Sequence, residues 1–311
     1  MARIYALGES LLDIIFKDGK KIKTLPGGSV VNAAISLGRL KLPVYLLSEY
    51  GTDEHGKQLE QVLLNNNVNT DFVYRHNTGK TALAYAYLND QNEATYEFYK
   101  NVPEKRLAIK HLHFTKDDIL IFGSWFGIDP EIKKEVKNIV TLAKDNGTTI
   151  IYDPNFRKVF LRELPNLKSA VLDNFMIADL IRGSDLDFQN IFTTTTFKKT
   201  CEKIRKYNAG LIYTASRKGV YLNFNEITEY CKVPELKPLS TIGAGDNFNA
   251  GLIYGLHMKH ITKQQLKYLN KQEWKELVET AIRFATNVCM SEENYISPDF
   301  ARLIKEERIK P

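Results

Sequence analysis

Along most of the 311 residues, apolar runs of strand length alternate with amphipathic runs at helical spacing. RIYALGESLLDII reads as a first strand, and SVVNAAISLGRL as a helix opening after the Gly27-Gly28 turn. VYLLSEYG is strand-like, KQLEQVLLNNN is helical with an asparagine-rich exit, and ILIFGSW is another short apolar strand. PEIKKEVKNIVTLAKDNG puts Pro130 at a favoured helix-entry position and Gly147 at the exit. TTIIYDP is again a strand, and FKKTCEKIRKYNAG with LIYTAS gives one more helix–strand pair. Strands separated by helices of this length predict an α/β protein with a mostly parallel sheet covered on both faces.

Two stretches break that rhythm. IIFKDGKKIKTLP (14–26) turns at Asp18-Gly19, a good hairpin signal. TALAYAYLNDQNEATYEFY (81–99) alternates small and aromatic residues on both sides of a polar turn. Connections this short cannot join a parallel sheet. The pair is expected either to form a small antiparallel sheet that projects like a lid, or to extend a hairpin over a core face.

Composition narrows the class. Lys and Arg total 43 against 37 Asp and Glu, a net charge of +6 spread along the chain. That dispersion gives no footprint for nucleic acid and suits small anionic metabolites. Cys201, Cys231 and Cys289 lie far apart without metal or redox spacing, which points to a reduced, cytoplasmic setting. The N-terminal MARIYALGESLLDIIF lacks the features of a signal peptide, and no run approaches transmembrane length, so no membrane partner is expected.

The richest chemistry lies in STIGAGDNFNAG (240–251). Gly243, Ala244 and Gly245 leave backbone N–H groups unobstructed, and the helix that follows adds partial positive charge at its start. Such a turn can cradle a phosphate, and Asp246 beside it can accept a proton from an attacking hydroxyl. An anion hole with a base is what phosphoryl transfer to an alcohol requires. The plain alternative is a glycine-rich turn with Asp246 capping the helix.

GGSVVNAAISLGRL (27–40), followed by GTDEHG (51–56), resembles the N-terminal signature of the ribokinase (PfkB) sugar kinases, and STIGAGDNFNAG resembles their C-terminal one. GESLLD (8–13) and DPNFR (153–157) fit the same order across most of the chain. The resemblance implies a doubly wound α/β domain from residues 1–13, 26–71 and 107–311, with a β lid from 14–25 and 72–106. It also implies ATP-dependent phosphorylation of a sugar hydroxyl, and a homodimer in which the lids meet.

Carried over by position, Asp246 is expected to be the base, with Gly243, Ala244 and Gly245 as the anion hole. Asp13 would accept sugar hydroxyls, Gly27 and Gly28 would let backbone approach the sugar, and Asn32 would serve vicinal hydroxyls. Arg157 would reach substrate or phosphate, or simply be a solvated arginine. Phe98, Tyr99 and Trp125 would shield the closed site or only pack. On the nucleotide side YTASRKGVYL (213–222) offers Thr214, Lys218 or Arg217, and Gly219 to ATP, beside Gly245. RGSDLD (182–187) aligns where the family carries an Asn-x-x-Glu motif linked to Mg²⁺, with Ser184 and Asp187 in those places. Asp187 would act on the metal indirectly, through a bound water.

Ser240 stands where the signature usually has Asp, and 285–297 lacks the Gly-Ala segment of cation-activated members, so K⁺ activation is left open. The register around Asn287, a candidate neighbour of the adenine, is ambiguous. GESLLD and DPNFR resemble fructokinases most, which implies a ketohexose such as fructose, phosphorylated at its primary hydroxyl. The alternatives are 2-keto-3-deoxygluconate, whose carboxylate would face Arg157, and ribose or a nucleoside. A rival of another class is a sugar- or nucleotide-binding regulator without catalysis; the intact GAGD argues against it.

Overall fold

The computed structural model describes residues 2–88 and 94–309. In chain order the first elements are β1 (Ile4–Leu7), β2 (Leu11–Lys17), β3 (Lys20–Gly27), α1 (Ser29–Arg39), β4 (Val44–Gly51), α2 (Glu54–Asn65) and β5 (Val73–His76). There follow β6 (Lys80–Leu88), β7 (Ala94–Asn101), β8 (Ile119–Gly123), α3 (Lys133–Asp145), β9 (Thr149–Asp153) and α4 (Leu164–Ile177). Then come β10 (Leu180–Ser184), α5 (Asp185–Phe192), α6 (Phe197–Ile204), β11 (Gly210–Thr214), β12 (Val220–Phe224) and β13 (Ile227–Cys231). The chain closes with α7 (Ala244–Met258), α8 (Lys263–Leu266), α9 (Lys271–Cys289) and α10 (Pro298–Ile309).

Nine strands form one sheet in the order β13-β12-β11-β10-β9-β8-β1-β4-β5, in which only β12 runs against the rest. Period-two alternation feeds both of its faces. Ile4, Ala6, Ile119 and Ile121 join one core with α1, α7 and α9, while Tyr5, Leu7, Leu120 and Phe122 join another with α3 and α4. α1 is buried from Ser29 through Gly38, which explains why its sequence is apolar nearly all round. β1 lies between β4 and β8, so chain direction across the sheet reverses there, and strand ends near such a point open a crevice for ligand.

The stretch RIYALGESLLDII, read as one strand, is two. β1 belongs to the large sheet, and β2 leaves it for a four-stranded sheet of order β3-β2-β6-β7. The break is pinned by Ser48, whose hydroxyl donates to the Gly8 carbonyl at 2.6 Å and bonds Ser10 Oγ at 2.7 Å. The small sheet is mixed rather than antiparallel. Both hairpins are present, but β2 and β6 pair in parallel, so two hairpins of distant sequence share one sheet. Asp18 and Gly19 both take positive φ, as a tight two-residue hairpin turn requires. The expected polar turn at 89–93 lies outside the described residues.

Val73–His76 pairs with β4 at the edge of the large sheet, so the stretch expected to start the lid at 72 extends the main sheet, and the small sheet resumes at Lys80. Conversely, Leu11–Asp13 belongs to the small sheet. Pro130 precedes α3 by a short turn instead of opening it; Ile132 occupies the N-cap. Among the described residues no helix is long and apolar enough to cross a membrane.

Candidate active site

Gly243 opens α7 with φ +77°, and a side chain there would collide with the Asn294 carbonyl. That left-handed entry sets Asp246 in the third helical position, where it makes no helix cap. Its two oxygens accept instead from α1: Oδ1 from Ser29 Oγ at 2.6 Å and Oδ2 from Asn32 Nδ2 at 2.8 Å. The Ala244 N–H bonds the Thr241 carbonyl at 3.3 Å, and the start of α7 places the positive end of the helix dipole beside this carboxyl. Asn247, the next residue, donates to the Gly243 and Asn294 carbonyls, each at 2.8 Å, and locks the turn to the 294 loop.

Burial raises the Asp246 carboxyl to about 6; the bonds from Asn32 and Ser29 and the charge of Arg157 oppose the rise, and Asp153 adds to it. Asp13 is likewise pushed up to about 6 by burial, with Arg157 lowering it and Asp246 raising it. Two carboxyls that repel each other thus lie close together, with Arg157 as the nearby cation. Asp13 falls in the run read from the sequence as one first strand, but it is not part of the large sheet. It stands within β2, paired with Leu25 and Ala84. Gly27, at the end of β3, touches it so closely that a Cβ would lie 2.6 Å from Asp13 Oδ2. Gly28 has φ +112° and backs onto the Glu9 carbonyl, so glycine is required for close packing as well as for conformation.

Register separates the aromatics of the small sheet. Phe98 pairs with Ala84 and so shares the face of Asp13, whereas Tyr99 lies on the opposite face, 4.7 Å from the Tyr85 ring. Lys100 Nζ, back on the Asp13 side, stands 5.4 Å from the centre of the Trp125 ring, which in turn packs on Phe160. Trp125 therefore meets the small sheet through Lys100.

Around the residues expected to meet ATP, the arrangement differs from a simple motif reading. Thr214 ends β11 and accepts from Arg182 Nη2 at 2.9 Å. Lys218 is exposed in the turn between β11 and β12, and Gly219 closes that turn with φ +98°, pressed against Tyr230. Asp187 is engaged in a capping box: Oδ2 accepts from the backbone and hydroxyl of Ser184, and Oδ1 from the Phe156 N–H at 2.6 Å. Ser240 Oγ accepts from the Ile242 N–H, and Asn287 Oδ1 from the Ser297 N–H.

Ser29, Asp153, Arg182 and Asn249 all lie in motifs quoted above, but nothing in the sequence signalled a role for any of them. Ser29 lies inside the quoted GGS, where an acceptor partner 217 residues away could not be seen. Asp153 Oδ2 accepts from Arg182 at 2.9 Å and from Asn249 at 2.6 Å, joining β9, β10 and α7. Asp153 ends β9, but Arg182 is the middle residue of β10 and Asn249 lies on α7, so no common position in the sequence marked this group.

The sequence pattern of the pfkB family carbohydrate kinases matches residues 1–295. The chain belongs to this family. It is 23% identical over 256 residues to a fructokinase of Vibrio alginolyticus, covering 81% of this chain and 83% of that one. A 2-dehydro-3-deoxygluconokinase of Haemophilus influenzae is 24% identical over 273 residues, covering 82% and 87%. A Vibrio cholerae fructokinase solved with fructose, ADP and calcium superposes with a TM-score of 0.80 at 19% identity, covering 96% of each chain. The large, mostly parallel sheet with its smaller companion is the fold of this pfkB carbohydrate kinase and its structural neighbours.

Proposed function

We propose that this carbohydrate kinase transfers the γ-phosphoryl group of ATP to the primary hydroxyl of a ketohexose such as fructose. The observation that carries the reading is Asp246, held by Ser29 and Asn32 at the start of α7 with its carboxyl poised near 6. The acceptor oxygen attacks the γ-phosphorus, the bond to the bridging oxygen breaks, ADP leaves, and the hydroxyl proton passes to Asp246. N–H groups of the Gly243–Gly245 turn meet the charge that develops on the phosphoryl oxygens. Asp13 and Asn32 orient the sugar, the Gly27-Gly28 backbone lies against it, and Arg157 tempers the repulsion between Asp13 and Asp246. Thr214, Lys218 and Gly219 line the nucleotide side.

Among the described residues no group of three or more His, Cys, Asp or Glu side chains is placed to hold a metal. In this reading a divalent ion, Mg²⁺, is carried mainly on the nucleotide phosphates, and the lone pair left on Asp187 Oδ1 would reach it through water. When bound, the ion neutralises charge between the phosphates. The small sheet acts as the lid, with Phe98 over the sugar. Its opposite face stacks Phe16 on Tyr87, with Tyr85 and Tyr99 beside them, and Tyr99 is half exposed. A second copy of the chain covers that aromatic face, and sedimentation of a monomer at micromolar concentration would remove this part of the reading.

The test is ADP release in a coupled assay against fructose, 2-keto-3-deoxygluconate, ribose and adenosine, each with and without K⁺. Fructose should give the highest kcat/KM. Preference for the acid sugar would instead assign Arg157 to its carboxylate, and sugar binding without turnover would favour the regulator.

A further inference from the structure

Arg182 is the middle residue of β10 and is only 8% exposed. Its Nη1 donates to Asp153 on β9, and its Nη2 to Thr214 on β11, each at 2.9 Å. A methyl group on Gly245 would lie 2.7 Å from Nη1 and 3.0 Å from Nη2, so the guanidinium fills the space against the first turn of α7. The Phe248 ring stands 5.5 Å away on the same helix. One buried cation on β10 therefore touches the tips of β9 and β11 and the turn that opens α7.

The charge around it is lopsided. Asp246 is faced by Asp13 from β2, Asp153 from β9 and Arg157 from the loop after β9, with neutral Ser29 and Asn32 from α1. Burial raises the Asp187 carboxyl on α5 and the charge of Asp153 adds to the rise, while the bonds from Ser184 and the charge of Arg182 oppose it. Four carboxyls thus cluster around two cations, and Arg157 is exposed. Arg182 is the buried one.

We propose that Arg182 is a positioning residue for phosphoryl transfer: it balances the buried Asp153 carboxylate beneath Asp246 and braces the Gly245 turn against Thr214. The inference rests on the reading of Asp246 as base. Removing one partner of a buried pair leaves an uncompensated charge, and a like charge nearby disfavours ionisation of a second carboxyl. Arg182 would so tie the base side of the site to its nucleotide side.

The experiment is kcat/KM for sugar against pH in the wild type, Arg182→Met, Arg182→Met/Asp153→Asn and Arg182→Lys. The wild type should lose activity below about pH 6. In Arg182→Met this acid limb should move up by about one pH unit, with a roughly hundredfold lower plateau kcat. Adding Asp153→Asn should return the limb to its wild-type position while kcat stays low, because the brace to Thr214 is still missing. Arg182→Lys keeps the charge without the fork, so its limb should stay and its kcat fall. A merely structural arginine would lower activity in every variant without moving the limb, which would overturn the proposal. If Arg182→Met does not fold, wild-type kcat in the double variant or in Arg182→Lys would overturn it equally. An acid limb missing from the wild type itself would count against Asp246 as base.

Discussion

Replacing Asp246 with Asn removes the base and leaves its setting almost intact. The asparagine Oδ1 can still accept from Ser29 Oγ. Its Nδ2 would meet the Asn32 Nδ2 donor, but Asn32 Oδ1 is buried without a hydrogen-bond partner. A flip of the Asn32 amide turns that oxygen toward the new donor and restores both bonds. Sugar affinity measured by calorimetry should therefore change little. Turnover should fall about 10²- to 10⁴-fold, the usual contribution of a general base, or about 3–5 kcal/mol of barrier. Stability should move the other way. A carboxyl raised from 3.8 to about 6 destabilises the folded state above pH 6 by on the order of 3 kcal/mol, and the neutral amide relieves that cost. The variant should thus melt higher at pH 7.5 and lose its advantage below pH 4. Turnover within tenfold of the wild type would refute the assignment of the base, and a lower melting point at pH 7.5 would refute the buried-charge reasoning.

Three further outcomes follow from the geometry. Wild-type kcat/KM should fall as pH drops through about 6, because Asp246 must be ionised to accept the proton; Asp13, also near 6, should broaden the limb, while protonating either group favours folding. A pH-independent rate between 5 and 8 would contradict this. Gly243→Ala places a side chain on a positive-φ residue against the Asn294 carbonyl, and should cost about 1 kcal/mol or more with a roughly hundredfold loss of kcat; an unchanged rate would show that the turn tolerates the shift. Arg106→Met strands buried Glu49 and Asp129, which Arg106 bonds at 2.7 and 3.0 Å, and should lower unfolding free energy by about 3–5 kcal/mol in urea titration; an unshifted midpoint would rule out that clamp.

The legible parts of this protein are those written in local pattern. Alternating apolar runs gave the layered α/β fold because a strand buried on both faces must be apolar at nearly every position, as Ile4–Leu7 and Ile119–Gly123 are. Asp18-Gly19 marked its hairpin because only certain residues accept two successive positive-φ positions. The GAGD turn could be read as an anion hole with an acid because both belong to one short segment. What failed was whatever depended on partners distant in sequence. The run Ile4–Lys17 carries no local signal that it changes sheets at Gly8; the Ser48 hydroxyl decides that. The parallel pairing of β2 with β6 is likewise a tertiary choice between two locally satisfied hairpins.

For the site, the sequence by itself determined which chemical groups are available: an acid at the start of a helix, glycines where backbone must come close, and a cation after a strand. Tertiary structure alone decided their state. Asp246 is a poised carboxyl only because α1 and α7 pack together and bring Ser29 and Asn32 onto its oxygens. Asp187 caps its own helix, and Arg182 lies beneath Gly245, because β9, β10 and β11 end side by side. Burial and charge neighbours depend on distance in space, and a linear order of residues holds no record of that distance until the sheet has formed.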